Sequence, residues 1–271
     1  MRKIVDLSYH NGDINFEVAG QFLDLAILRV QYGSRKVDSK YHEYVEGCEA
    51  NGIPHAAYAY GCYVSVADAV IEANDFMNRT SSNAKFLVLD VEDDTLDSCG
   101  ADDLAKATQV FIDTCRAAGW KVGLYVSHHM YASYGLQDVQ ADFLWIPRYG
   151  RQPAYDCDLW QYTEDGYVEG IDGNVDINQL NSDKSLEWFT DGHVNDGGTL
   201  EVVGAEGGLR VRTEPSTDAD VNYDAGYKGN GKLYNGSQWL YSEVVTGNDG
   251  YQWYCVGSDM WVRGDYVKCV A

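Results

Sequence analysis

No run of this 271-residue sequence is apolar for long enough to cross a bilayer. The longest are as short as Phe86–Leu89, where a spanning helix needs about 20 residues. Positive charge is scarce too: 20 Lys and Arg stand against 42 Asp and Glu, a net charge of −22. Without clustered cations, neither a nucleic-acid backbone nor an anionic membrane surface is an expected partner. The acidic balance itself says solubility, and is compatible with an uncharged polymer as partner. Met1 to Asp6 carries two basic residues and then an acid, with no apolar signal-peptide core behind it. That leads us to expect synthesis in a cytoplasm without an export signal. There is no CxxC pair, no HExxH, and no repeat of solenoid length. The seven Cys (48, 62, 99, 115, 157, 255 and 269) are an odd set that suits reduced, mostly buried thiols rather than zinc ligands. Cys115 lies on an apolar helical face and reads as core, and Cys255 and Cys269 could pair across a small β domain.

The sequence does hold enough apolar side chains, 45%, for real cores, and 23% charged residues do not indicate disorder. Its length allows one large and one small domain. Short apolar strands at residues 3–6, 25–30, 55–60, 85–91, 121–126, 143–146, 159–162 and 175–177 alternate with helical patterns at 15–23, 42–50, 65–78 and 101–118. Ser65 with Asp68 marks one helix start and Gly119 one helix end. Such alternation predicts a mainly parallel sheet buried on both faces. About eight strands in roughly 180 residues predict a compact β/α barrel lacking some of its helices. The composition shifts after Leu186. We expect a first domain over 1–190, a Gly/Asp/Asn-rich linker over 191–200, and a small all-β barrel over 201–271. Gly207-Gly208, Asn230-Gly231, Asn235-Gly236 and Asn248-Asp249-Gly250 are its turn signals.

The sharpest chemical signal is Phe86-Leu-Val-Leu-Asp-Val-Glu92, an apolar strand running into two acids. Strand alternation points Asp90 and Glu92 to one side, roughly 5–7 Å apart, near the spacing retaining glycosidases use. At the C-terminal end of a parallel strand they would sit on the usual active face of a barrel. Such a pair splits its pKa values, one group staying protonated as general acid. Glu92, further out on a longer arm, is the better placed for that role. A solvated turn continuing into Asp93 and Asp94, or a Ca²⁺ or Mg²⁺ site, fits the same run. Asp6 ends the first strand and Asp176 lies in the last, so in a closed barrel both could converge on the pair, although each alone also reads as a cap or turn residue. Tyr58, Tyr60, Tyr125 and Trp160 accompany the acids and can stack on sugars, while Gln161 can bind sugar polar groups; core packing is the alternative for each aromatic. His10, His55, His128 and His129 show no metal spacing.

Taken together, these segments resemble glycoside hydrolase family 25, the Chalaropsis-type lysozymes found in many phage endolysins. The pieces are Val5-Asp-Leu-Ser8 with Asn11-Gly12, Ala57-Tyr-Ala-Tyr-Gly61, Leu89-Asp-Val-Glu92, Gly123-Leu-Tyr-Val-Ser127, Leu144-Trp-Ile146, Leu159-Trp-Gln-Tyr162, Gly170-Ile171 and Val175-Asp-Ile-Asn178. They occur in the family's order across residues 1–187. The resemblance implies a flattened, irregular, TIM-like β/α barrel. It implies hydrolysis of the β-1,4 bond between N-acetylmuramic acid and N-acetylglucosamine in bacterial peptidoglycan, with no cofactor. Glu92 would be the proton donor, Asp90 its partner carboxylate, and Asp6 and Asp176 the rest of an acidic floor. Tyr60 would contact the acetamido region of the substrate, with Asn178 among the substrate-binding positions. Asp90 would either attack or orient the substrate's own acetamido group; the sequence leaves both routes open. Departures at His55-Ala56 and Pro147-Arg148 leave the four acids intact.

The tail resembles a bacterial SH3 (SH3b) domain, through Leu209-Arg-Val-Arg-Thr213 with Pro215-Ser-Thr217, Gly250-Tyr-Gln-Trp-Tyr254 and Met260-Trp-Val262. This implies a cell-wall grip, for which Trp239, Tyr241, Trp253 and Trp261 are candidates, with core packing as the alternative for each. The expectation is a modular phage-type endolysin, made in a bacterial cytoplasm and reaching the wall by holin-type release. A non-catalytic glycan binder on the same scaffold, and a peptidase built on Cys62 and His55, are its rivals.

Overall fold

The alternation of short apolar runs with capped amphipathic segments builds the first of two compact units, residues 1–116 and 120–192; the second is mainly residues 193–271. The computed structural model of the protein describes residues 2–190 and 199–270, apart from 224, 226–228, 242, 248 and 258. Most of the expected linker, residues 191–198, lies outside the described residues.

In the first unit β1 (Lys3–Leu7) runs parallel to β2 (Leu23–Tyr32), against which the two-residue β3 (Lys36–Val37) folds back. β4 (His55–Tyr60) runs parallel to β2, and β5 (Leu87–Val91), β6 (Val122–Val126), β7 (Phe143–Pro147) and β8 (Leu159–Gly166) follow in order, each parallel to the one before. β9 (Val175–Leu180) is antiparallel to both β8 and β1 and closes the ring. The result is an eight-stranded barrel, with β3 outside the ring.

Strand alternation sorts the side chains into two layers. Ile4, Leu25, Ile27, Ala56, Val88, Phe143, Trp145 and Leu159 fill the barrel. Val5, Leu28, Ala57, Leu87, Leu89 and Leu124 face outward. There they meet α2 (Tyr41–Ala50), α3 (Val66–Arg79) and α5 (Leu104–Ala117), which contribute Tyr44, Phe76, Phe111 and Cys115. Burial of one such Phe stabilises the layer by about 2–3 kcal/mol. Among the described residues no α-helix lies between β6 and β7 or between β7 and β8, which is where this barrel lacks helices, as expected from its length. α6 (Leu186–Thr190) plugs one end of the barrel: Phe189 packs 5.7 Å from Phe86, just before β5, and 5.1 Å from Phe143, the first residue of β7. The opposite end, where the parallel strands finish, stays open.

Two local expectations need correction. The helix expected over 15–23 is one turn, α1 (Phe16–Ala19), capped by the Asn15 side chain on the Val18 N–H. Leu23 already belongs to β2, because it and Leu25 are buried in the barrel wall. The acidic run after Asp90 is no solvated turn either. It opens α4 (Asp93–Cys99), with Asp93 and Asp94 in the first turn, where carboxylates complement the helix dipole.

The second unit, among the described residues, is all β apart from one 3-10 turn. β10 (Thr199–Val202) sits between β13 (Gln238–Leu240) and β17 (Val267–Val270). β11 (Leu209–Arg210) pairs with β12 (Lys232–Leu233). β15 (Gln252–Gly257) pairs with β14 (Glu243–Thr246) and β16 (Met260–Arg263). Leu200, Val202, Leu209, Val211, Leu233 and Val262 form its core. Thr199 and Leu200, expected at the end of the linker, open the first strand. The turns at 207–208 and 235–236 connect strands of different sheets rather than hairpin partners. Cys255 and Cys269 are not disulfide-bonded: β15 and β17 belong to separate sheets, and Cys255 Sγ donates to the Gly257 carbonyl at 3.2 Å.

Candidate active site

At the open end of the barrel, register sets a belt of polar residues side by side. Tyr60 pairs with Asp90, Asp90 with Tyr125, Tyr125 with Trp145, and Asp6 with Asp176 across β1 and β9. They line a cleft of about 260 Å³ together with Glu92, Arg29, Tyr58, Tyr149, Gln161 and Glu164. All four acids singled out in the sequence therefore face one cavity. Asp176 arrives differently from the others. Its strand is antiparallel, so the chain enters the cleft at Asp176, whereas β1 and β5 leave it there.

Donor chemistry fixes which groups face Asp6. The Trp145 indole can only donate, and its Nε1 does so to Asn178 Oδ1 at 2.8 Å. The Asn178 amide nitrogen must then face Asp6, and it donates to Oδ2 at 2.8 Å. Gln161 is oriented the same way: the Tyr125 and Tyr149 hydroxyls donate to its Oε1 at 3.0 and 2.9 Å, and its Nε2 donates to Asp6 at 3.0 Å. Burial raises Asp6, against hydrogen bonds from Asn178, Gln161 and Asp176. Asp176 is pushed up to about 8, first by burial and then by the charge of Asp6 and the hydrogen bond to it. Hence the proton of this pair resides on Asp176, and Asp6 is the anion.

The second pair is Asp90 and Glu92. Burial, then the charges of Glu92 and Asp6, hold Asp90 well above the usual carboxylate range, opposed by Arg29. Burial also raises Glu92, against hydrogen bonds from Ser127 and Asp90. Ser127 Oγ donates to Glu92 Oε2 at 3.1 Å. Below, the Glu92 N–H donates to Thr95 Oγ1 at 3.1 Å, and Thr95 donates to the Gly61 carbonyl at 2.7 Å, which locks the backbone at the mouth of the cleft. Two carboxyls so close and so dry cannot both ionise freely, so the pair retains a proton at neutral pH. Asp90 Oδ1 is buried and has no hydrogen-bond partner among the described residues. A carboxyl oxygen left so is costly, and a donor on a bound ligand would relieve it. The hydrogen bond within the pair raises Asp90 and lowers Glu92, so in the free cleft the shared proton lies on Asp90.

Three features were not read from the sequence. Arg29 is the cation of the cleft, its Nε 2.8 Å from Asp38 Oδ2, whose side chain is 1% exposed. An arginine inside the apolar run of β2 was the available signal. Tyr149 follows β7 in a loop, and Glu164 lies on a part of β8 beyond the expected strand end. Two expected contacts are relocated. Trp160 and Gln161 are adjacent on β8, so only one can face the barrel. Gln161 does, while Trp160 packs into the outer layer with Nε1 donating to the Arg148 carbonyl at 2.7 Å. Asn178 lies one layer beneath the cleft and acts through Asp6. His55 opens β4 and Cys62 lies just past its other end, roughly 20 Å away at strand rise, so the two cannot form a nucleophile–base pair. No three His, Cys, Asp or Glu side chains among the described residues are placed as metal ligands. Tyr60 stacks on Tyr32 at 4.6 Å, and the Tyr32 hydroxyl donates to Asp94.

The model of the family described as "Glycosyl hydrolases family 25" matches residues 5–171, more than half of the chain. The autolytic lysozyme of Clostridium acetobutylicum is 23% identical over 210 residues, 76% of this chain; the chain spans 61% of that protein's length. The solved catalytic domain of endolysin ply40, from bacteriophage P40 of Listeria monocytogenes, is 27% identical, with a TM-score of 0.63 over 68% of this chain and 94% of that one. The virulence factor GHIP of Streptococcus pneumoniae, a glycosyl hydrolase 25 participating in host cell invasion, is 25% identical, with a TM-score of 0.64 over 70% of this chain and 93% of its own.

Proposed function

The chain belongs to glycosyl hydrolase family 25, and from that premise we propose that it is an N-acetylmuramidase of the phage-endolysin type. It cleaves the β-1,4 bond between N-acetylmuramic acid and N-acetylglucosamine in bacterial peptidoglycan. The observation that carries the reading is the pair of raised carboxyls, Asp90 and Glu92, with one Asp90 oxygen left for a ligand. The names of the clostridial autolytic lysozyme and the Listeria phage endolysin agree with a wall substrate.

In this reading Glu92 is the general acid. Before substrate binds, the pair shares a proton. A sugar acetamido N–H reaching Asp90 Oδ1 would favour the Asp90 anion and leave the proton on Glu92, beside the glycosidic oxygen. Asp90 then orients the acetamido group or attacks the anomeric carbon itself. Asp6, an anion in a water-poor floor held by the protonated Asp176, adds negative potential where oxocarbenium charge develops. Tyr58, Tyr60, Tyr125 and Gln161 form the walls against the sugar. The second unit is the wall-binding half, SH3b-like in its sequence motifs, and raises the local concentration of substrate.

Digestion of purified peptidoglycan followed by mass spectrometry of the new chain ends tests the assignment. New reducing N-acetylmuramic acid ends are expected. New peptide ends would mean a peptidase, and binding without any cleavage would mean a glycan-binding module.

A further inference from the structure

The second unit contains three arginines, Arg210, Arg212 and Arg263, and all three line one groove of about 500 Å³. In a chain of net charge −22 that concentration is not expected from composition. The fold produces it. Arg210 and Arg212 are two residues apart on one extended run and so project to the same side. The Arg212 backbone is bridged to Trp261 of β16 by reciprocal N–H to carbonyl bonds at 2.8 Å, which brings that run beside Arg263 at the end of β16. Arg263 is held in place: its guanidinium lies 4.2 Å from the Tyr251 ring, and its Nε donates to Asp265 at 2.7 Å. Arg212 donates to the Ala219 carbonyl at 2.7 Å. Arg210 is exposed, and among the described residues neither it nor Arg212 forms an ion pair. The groove also contains one carboxylate, Glu206.

We propose that this groove binds a short peptide bearing free carboxylates and an amine, as the uncross-linked stem peptides of peptidoglycan do; the choice of polymer rests on the muramidase reading. Guanidinium forks match carboxylates in bidentate fashion. Glu206 decides between anions: it offers a partner to an ammonium group and repels a polymer that carries phosphodiester charge alone. Trp253, nearly fully buried, and Tyr266 make the floor and give the arginines a rigid support.

The test uses the full chain carrying Glu92→Gln, titrated by calorimetry with a soluble stem tetrapeptide ending in a free carboxylate, and separately with poly(glycerol phosphate). The tetrapeptide should bind, more weakly at higher salt. Arg210→Glu, at an exposed position, should weaken binding by roughly ten- to hundredfold, and Arg210→Lys by less. Equal tetrapeptide binding by Arg210→Glu, or none by the parent, overturns the proposal. Tighter binding of poly(glycerol phosphate) overturns it in favour of a phosphodiester site. The muramidase reading fails separately, if the chain with Glu92 intact releases no reducing ends from peptidoglycan while the tetrapeptide still binds.

Discussion

Replacing Asp176 by Asn should remove a large pH dependence from the stability of the barrel. Asp176 is pushed up to about 8 from an ordinary 3.8, first by burial and then by Asp6. Between those values the folded chain holds a proton on this carboxyl that the unfolded chain has already released. The stability it contributes is therefore greatest at and below about pH 4, falls as pH rises to about 8, and is level outside that window. At 1.36 kcal/mol per unit, the loss is on the order of 5 kcal/mol. Asn does not titrate, yet its amide N–H can donate to Asp6 as the protonated acid does. Asp176→Asn should thus melt with the wild type at pH 4.5 and about 10 °C or more above it at pH 8.5. Calorimetric melting across this range reads the titration of the Asp6–Asp176 pair, since acids outside the pair titrate in both proteins. Parallel profiles, or a wild type that is the more stable at high pH, would refute the protonated Asp176–Asp6 pair.

Arg29→Met removes the cation that opposes the rise of Asp90, so the acidic limb of kcat/KM should move to higher pH, and an unmoved limb would show that Arg29 does not set it. The same change strands buried Asp38 and should cost about 3–5 kcal/mol in denaturant melts, partly restored by adding Asp38→Asn. Asn178→Leu takes a donor from Asp6 and the acceptor from Trp145; a loss of about 1–3 kcal/mol is expected, and an unchanged denaturation midpoint would show that the relay is not needed. Trp160→Phe should leave peptidoglycan cleavage within about twofold while losing about 1 kcal/mol of stability, whereas a tenfold loss of rate would bring Trp160 back into the cleft.

What could be read in the sequence follows from what neighbouring residues determine. The β5 acids were legible because an apolar strand ending in Asp-Val-Glu dictates burial and side at once. The strand-and-helix order of the first unit was legible for the same local reason. Direction and partner were not. Asp176 looked like the end of one more parallel strand, yet β9 runs antiparallel, and only long-range pairing with β1 sets that. Trp160 and Gln161 both looked useful, and alternation on β8 admits just one. Arg29 depends on Asp38, and Tyr149 depends on Gln161 across strands, so neither carries a local pattern. In the second unit the glycine turns were legible, but which strands pair across them is decided by the core around Leu200, Leu233 and Val262.

The central claim is that Glu92 supplies the proton for glycosidic cleavage. Peptidoglycan digestion by Glu92→Gln, with its melting curve recorded alongside, tests it most directly. The account predicts a folded protein that releases reducing ends about 100- to 10,000-fold more slowly than the wild type. A folded Glu92→Gln protein cleaving at close to the wild-type rate would contradict it and place the acid elsewhere in the cleft.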